Sequence, residues 1–248
     1  KKGDVVEIPF GSKKEIGVIW NNINSVPKNI KIKNINKKIE NFSINQKLID
    51  FIEWFSMYNM VPIGLALKMC IGNGRNLFKK KDQIKKSKKI KVTKYSLNKE
   101  QEESLKYLEN VKGKFNVSVL QGATGSGKTL VYFERIKKIL KTNKQILILL
   151  PEIFLTNQFK ERFFEFFGFY PSLWHSKITP KNKRKIWQGL ISNKIRIIIG
   201  ARSALLLPFK NLGLIVVDEE HDPSYKQEEG LTYNARDMAI SRASAEDI

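Results

Sequence analysis

The chain has 248 residues and carries 45 Lys and Arg against 24 Asp and Glu, a formal net charge of +21. That length suits one large domain or two modest ones, and the charge points to a polyanionic partner, since clustered cations gain free energy by releasing counterions from phosphates; a joint excess of Lys, Asn and Ile equally fits compositional bias on a solvated surface. One cysteine, Cys70, excludes an internal disulfide framework or a cysteine-cluster zinc site and suits a reducing compartment, while the lack of a secretory signal or of a run of about 18 apolar residues leads us to expect a cytoplasmic protein with no membrane partner.

Residues 1–20, KKGDVVEIPFGSKKEIGVIW, read as strand, turn and strand around Gly11-Ser12, with Ile16, Val18 and Trp20 alternating in the second run. A folded unit that starts so early leads us to expect further residues upstream. Next, residues 45–70 place Leu48, Ile52 and Phe55 at helical spacing, with Pro62 ending or kinking the run. Lysine then crowds residues 72–91, where apolar residues are scarce, and this stretch reads as a solvated linker. Charge is concentrated at the front, with a net of +13 over residues 1–91 and +8 over the remaining 157.

After Thr93 short apolar runs alternate with amphipathic stretches: NVSVL (116–120), QILILL (145–150), IRIIIG (195–200) and LGLIVVD (212–218). Continuous apolar strands separated by helices predict an α/β domain whose parallel sheet is covered on both faces. The expected divisions are therefore a β-rich unit at 1–44, a helical segment at 45–70, a basic linker at 71–92 and the α/β domain at 93–248.

The sequence QGATGSGKTL contains G-x-x-x-x-G-K-T from Gly122 through Ala123, Thr124, Gly125, Ser126, Gly127 and Lys128 to Thr129. Glycines let such a loop wrap a triphosphate with its N–H groups pointing inward, and the helix that follows adds its positive end. Lys128 is placed to reach the β- and γ-phosphates, and the Thr129 hydroxyl to coordinate Mg²⁺. Some 90 residues later the apolar run 212–217 delivers acids at its C-terminal end, where open α/β sheets bind ligands. Asp218 is the expected Mg²⁺ holder, directly or through water, and Glu219 the group that activates the attacking water. Together these residues predict a domain that binds a nucleoside triphosphate with Mg²⁺ and hydrolyses it.

LNKEQ (97–101), the phosphate loop, LPEIFLTNQF (150–159), LWHS (173–176), GARSALLLPF (200–209) and DEEHDPSYKQEEG (218–230) together resemble the PriA family of primosomal replication-restart DNA helicases, in superfamily 2. The resemblance implies a RecA-like P-loop domain, with Gln101 reading the adenine and with Thr156, Gln158, Arg202 and Ser203 tracking the DNA backbone. Residues 1–20 are similar to that family's 3′-end-binding domain, and the helical run after residue 50 to the segment leading to its winged helix. It further implies 3′-to-5′ unwinding of forked or 3′-ended DNA, primosome and single-strand-binding partners, and a second RecA-like domain and a zinc module that would lie beyond Ile248, so that the chain is expected to be an N-terminal fragment without motor activity of its own. A different class, a non-motor fork-binding module using ATP as a conformational ligand, stays open beside it.

Residue chemistry adds its own readings beside the resemblance. Tyr225, Lys226, Tyr233 and Arg236 follow the acids directly, and we expect tyrosine faces stacked on bases with the cations on phosphates; the competing expectation is two half-buried tyrosines under a surface loop. Similarly, Arg202 and Ser203 suit either a phosphate or a loop hydrogen bond, and His175 suits either ligand sensing or a surface cap.

Overall fold

The structure, a computed structural model, describes residues 1–21, 25, 28–29, 31–72, 95–110 and 115–248. From residue 73 onward the expected basic linker lies outside the described residues.

Strands β1 (Asp4–Phe10) and β2 (Lys13–Val18) fold back on each other across Gly11-Ser12, pairing Phe10 with Lys13 and Val5 with Val18. Gly11 turns at φ +59°, a conformation strained for a residue with a Cβ. Strand β3 (Lys37–Ser43) joins the other side of β1, giving the antiparallel order β2-β1-β3.

Asn45 then starts helix α1 (Gln46–Tyr58), its side-chain oxygen accepting the Leu48 N–H at 2.8 Å. Leu48, Ile49, Phe51, Ile52 and Phe55 form one buried stripe, as a 3.6-residue period requires. Pro62 opens helix α2 (Ile63–Ile71), so the expected break falls where φ is locked and the N–H is missing. Helix α3 (Lys99–Asn110) follows the undescribed stretch.

The second sheet contains β4 (Gln145–Leu149), β5 (Ser172–Trp174), β6 (Ile197–Gly200) and β7 (Leu212–Val217), all parallel, in the order β5-β6-β4-β7. Side chains alternate between faces along each strand. Ile146, Ile148, Ile197 and Ile199 pack with Phe133, Ile136, Phe163 and Phe167, which come from helices α4 (Lys128–Leu140) and α5 (Asn157–Phe167). Leu147, Leu149 and Ile198 face the opposite way, into a core built with helix α6 (Pro180–Ile191), helix α7 (Ala235–Glu246) and the stripe of α1. Because both faces are covered, β4 and β6 are buried throughout and carry no polar alternation. The α/β class and the small β-rich unit in front of it are borne out.

The helices at 46–71 thus share the core of the parallel sheet. The Trp187 indole N–H donates to the Cys70 carbonyl at 3.2 Å, the Asn45 amide donates to the Phe209 carbonyl at 2.8 Å, and the Phe55 ring meets Tyr233 edge-on at 5.3 Å. Arg242 is wholly buried, with its guanidinium carbon 5.3 Å from the Phe51 ring centre, one nitrogen 2.7 Å from the Glu246 carboxylate and another 3.1 Å from the Leu205 carbonyl. At about 1.5–3 kcal/mol for each large apolar side chain buried, the α1 stripe is a main source of cohesion for this face.

One expected strand does not form. Residues 115–120 run without strand pairing, leaving Val119 84% exposed. Strand propensity acts only through a paired neighbour, and NVSVL has none among the described residues. Instead, its start is tied to the end of α7, the Phe115 N–H donating to the Asp247 carboxylate at 3.1 Å and the Asn116 N–H to the Ile248 carbonyl at 3.3 Å.

Candidate functional site

The loop Gly122–Thr129 runs directly into α4, whose first N–H groups have no partner within the helix. Gly127 caps that helix at φ +83°, and a Cβ there would stand 2.5 Å from the Gln101 amide nitrogen. Gly125, at φ +82°, has open space around its missing Cβ, so backbone conformation alone requires glycine there. The Lys128 ammonium donates to the Gly122 carbonyl at 2.6 Å and to the Ala123 carbonyl at 3.1 Å, which centres its charge on the loop. A cradle of glycine backbone, orphan helix N–H groups and one central cation fits a polyphosphate.

Gln101 braces this loop from α3. Its backbone N–H donates to the Asn98 side chain at 2.9 Å and its side-chain oxygen accepts the Asn98 N–H at 3.0 Å, a reciprocal helix cap. One of its amide hydrogens goes to the Ser126 carbonyl at 2.9 Å. Gln101 therefore stands at the phosphate loop and keeps one amide hydrogen for a further acceptor.

Strand β7 delivers Asp218 by continuing the ladder, the Asp218 N–H donating to the Leu149 carbonyl at 3.1 Å. Two tyrosines then hold it. Tyr132, on α4, donates its hydroxyl to the Asp218 carboxylate at 2.7 Å, and Tyr225 places its hydroxyl 2.6 Å from the Asp218 backbone carbonyl and 3.0 Å from that of Leu149. Burial first, then the charge of Asp218, pushes both phenols well above their usual range, so both are neutral donors. Glu219 follows at φ +51°, a left-handed conformation costing a non-glycine residue about 1–2 kcal/mol. The His221 ring stands 3.7 Å from its carboxylate. The phosphate loop and the expected magnesium-holding acid thus meet through Tyr132, a residue that sequence reading missed. Its spacing from Thr129, one helical turn, was the available signal.

The other expected contacts divide. Arg202 donates to the Lys226 carbonyl at 2.7 Å and lines a cleft of about 230 Å³ with Leu150, Pro151, Glu152, Ser224 and Tyr225, at the C-terminal ends of the sheet strands. Thr156 caps α5, its hydroxyl accepting the Phe159 N–H at 3.2 Å, and Gln158 is exposed on the first turn. Ser203 accepts the Trp174 indole N–H at 3.1 Å, the loop-bond alternative weighed above. Lys226 pairs with Glu228 at 2.7 Å, and Arg236 with Glu220 and Asp237, each at 3.1 Å. The His175 ring accepts the Lys177 N–H at 3.3 Å.

The tyrosines require a correction. Tyr225 is 2% exposed and Tyr233 4% exposed, so neither ring presents a face on which a base could stack. Tyr225 lies under Asp218, and Tyr233 packs on Phe55 in the core shared with α1, its hydroxyl without a hydrogen-bond partner among the described residues and its pKa pushed up by burial to about 12. Short strands β8 (Lys226–Gln227) and β9 (Tyr233–Asn234) pair and turn the chain back into α7. The aromatics behind the acids fasten that return to the core.

Residues 1–72 match the family model of the 3′DNA-binding domain (3′BD). The chain is 41% identical over 250 residues to replication restart protein PriA of Rickettsia felis and 42% identical over 243 residues to that of Rickettsia prowazekii, covering 98% and 97% of this chain but only 37% and 36% of those proteins. PriA of Bacillus subtilis is 45% identical over 127 residues, 51% of this chain and 16% of that protein. Among solved structures, RecG bound to a three-way DNA junction aligns over 80% of this chain and 29% of that one, with 21% identity and a TM-score of 0.48. The resemblance carried by the motifs is borne out. Residues 98–245, more than half of the sequence, match the DEAD/DEAH box helicase model, a domain that uses ATP and Mg²⁺, and the chain belongs to that family.

Proposed function

We propose that the chain is part of an ATP-dependent DNA helicase that restarts replication at arrested forks, hydrolysis driving 3′-to-5′ unwinding. One observation carries the reading: Lys128 and Thr129 of the phosphate loop and Asp218, some 90 residues later, converge through the hydrogen bond from Tyr132 to Asp218. In this reading Lys128 and the N-terminus of α4 hold the β- and γ-phosphates, Thr129 and Asp218 hold Mg²⁺, Glu219 orients the attacking water, and Gln101 offers its remaining amide hydrogen to the adenine. Bound Mg²⁺ would supply charge neutralisation on the phosphates.

The DNA would cross the C-terminal ends of the sheet strands, past Thr156, Gln158 and the cleft at Arg202, with Lys226 and Arg236 exchanging their carboxylate partners for phosphates. The 3′-end unit at 1–44 would sit beside it, carried by the helices at 45–70, with 71–92 as linker and 93–248 as the first RecA-like domain. The same reading includes zinc bound only by sequence beyond Ile248, primosome and single-strand-binding proteins as partners, and a cytoplasmic location.

The test uses the whole protein. Lys128→Ala should abolish DNA-stimulated ATP turnover while fork binding persists. Fork binding that requires ATP, with no turnover even when Lys128 is intact, would establish the non-motor reading instead. Residues 1–248 alone should show negligible DNA-stimulated turnover.

A further inference from the structure

Tyr132 is 7% exposed, and its hydroxyl ties helix α4 to the end of β7. The Thr129 side chain stands one turn earlier on the same helix, and the Tyr132 hydroxyl donates to the Asp218 carboxylate at 2.7 Å. The second Asp218 oxygen accepts the Glu219 N–H at 3.1 Å. Both carboxylate oxygens are thus fixed, one by β7's own chain and one by the phosphate-loop helix. A core tyrosine has no need of such an arrangement, since the packing of its ring on Phe133 would survive the loss of the oxygen.

We propose that Tyr132 is a positioning residue that sets the Asp218 carboxylate and the Thr129 hydroxyl relative to each other before nucleotide and Mg²⁺ arrive. The proposal rests on the reading of Thr129 and Asp218 as the metal-holding pair. Partners of this kind typically change metal affinity by roughly 10–100-fold when removed. Without the hydroxyl, the Asp218 carboxylate would keep only the Glu219 N–H, and α4 would lose its direct link to the strand end. Binding of the nucleotide alone, through Lys128 and the loop backbone, would not involve Tyr132.

The experiment is calorimetric titration of ADP into residues 1–248, once with Mg²⁺ and once with EDTA, for the native chain and for Tyr132→Phe. The variant should lose about tenfold of the affinity that Mg²⁺ adds, with its affinity in EDTA unchanged. Equal losses in both buffers, or no loss in either, would overturn the proposal. In an Asp218→Asn background Tyr132→Phe should have no further effect; an independent second loss would show that the hydroxyl does not act through Asp218. If the variant does not fold, 3-fluorotyrosine at position 132 reports on the native fold. Its ¹⁹F resonance should move when Mg²⁺ is added to the ADP-saturated chain, and an unmoved signal counts against the proposal. A native chain that gains no ADP affinity from Mg²⁺ would instead refute the metal-holding assignment itself.

Discussion

The hydroxyl of Tyr225 stands 2.6 Å from the backbone carbonyl of Asp218, and the same residue lines, with Arg202, the cleft at the strand ends. One buried side chain therefore separates the acid at the end of β7 from the surface where DNA is proposed to pass. Arg202 reinforces the link by donating to the Lys226 carbonyl, one residue after Tyr225. A phosphate that drew Arg202 away would release the backbone beside the tyrosine supporting Asp218, so coupling would travel through main-chain displacement and need no stacked base.

Tyr225→Phe tests that link. It leaves the Asp218 and Leu149 carbonyls without the phenol, so the unfolding free energy in urea should fall by about 1–2 kcal/mol. In the whole protein, affinity for single-stranded DNA should stay within about twofold, well short of the roughly 1–3 kcal/mol expected for a lost stacking ring. DNA stimulation of turnover should drop.

Tyr233→Phe has the opposite sign. The buried Tyr233 hydroxyl lacks a hydrogen-bond partner among the described residues, a desolvated polar group whose removal relieves a cost. The variant should be neutral or more stable by up to about 1 kcal/mol, measured by the same urea titration.

These two tyrosines show what the sequence made legible. Phosphate loop, terminal acids and three sheet strands were readable because each is a local pattern: glycine spacing, an apolar run, acids at its end. The partners of the aromatics are not local. Tyr233 meets Phe55 across 178 residues of chain and Tyr225 meets Leu149 across 76, so adjacency to Lys226 and Arg236 suggested a surface that the fold does not present. Two strands failed in opposite directions. NVSVL has the propensity but no paired neighbour, whereas Ser172–Trp174 is too short for a period and forms because β6 lies alongside it.

Arg242 and Glu246 predict a third outcome. Arg242→Met alone leaves the Glu246 carboxylate, 3% exposed, without its cation, and should destabilise by about 3–5 kcal/mol. Replacing both by apolar residues should recover most of that loss in thermal or urea unfolding, because the desolvation of two charges is removed together.

Cys70 supplies a fourth. Burial raises its thiol pKa to about 12, so at pH 8 only about one molecule in ten thousand carries the reactive thiolate. Iodoacetamide should leave the native chain unmodified over hours and label it rapidly in urea. Labelling under native conditions would show that α2 leaves Trp187.

Strand β7 runs at the end of its sheet, paired only with β4 among the described residues. Its sequence, LGLIVV, carries no lysine, proline or charge, the devices that usually keep an open strand from recruiting another chain. The same six residues that carry Asp218 to the nucleotide are therefore a template for self-association. Residues 1–248 in isolation should aggregate with rising concentration, read as growing light scattering.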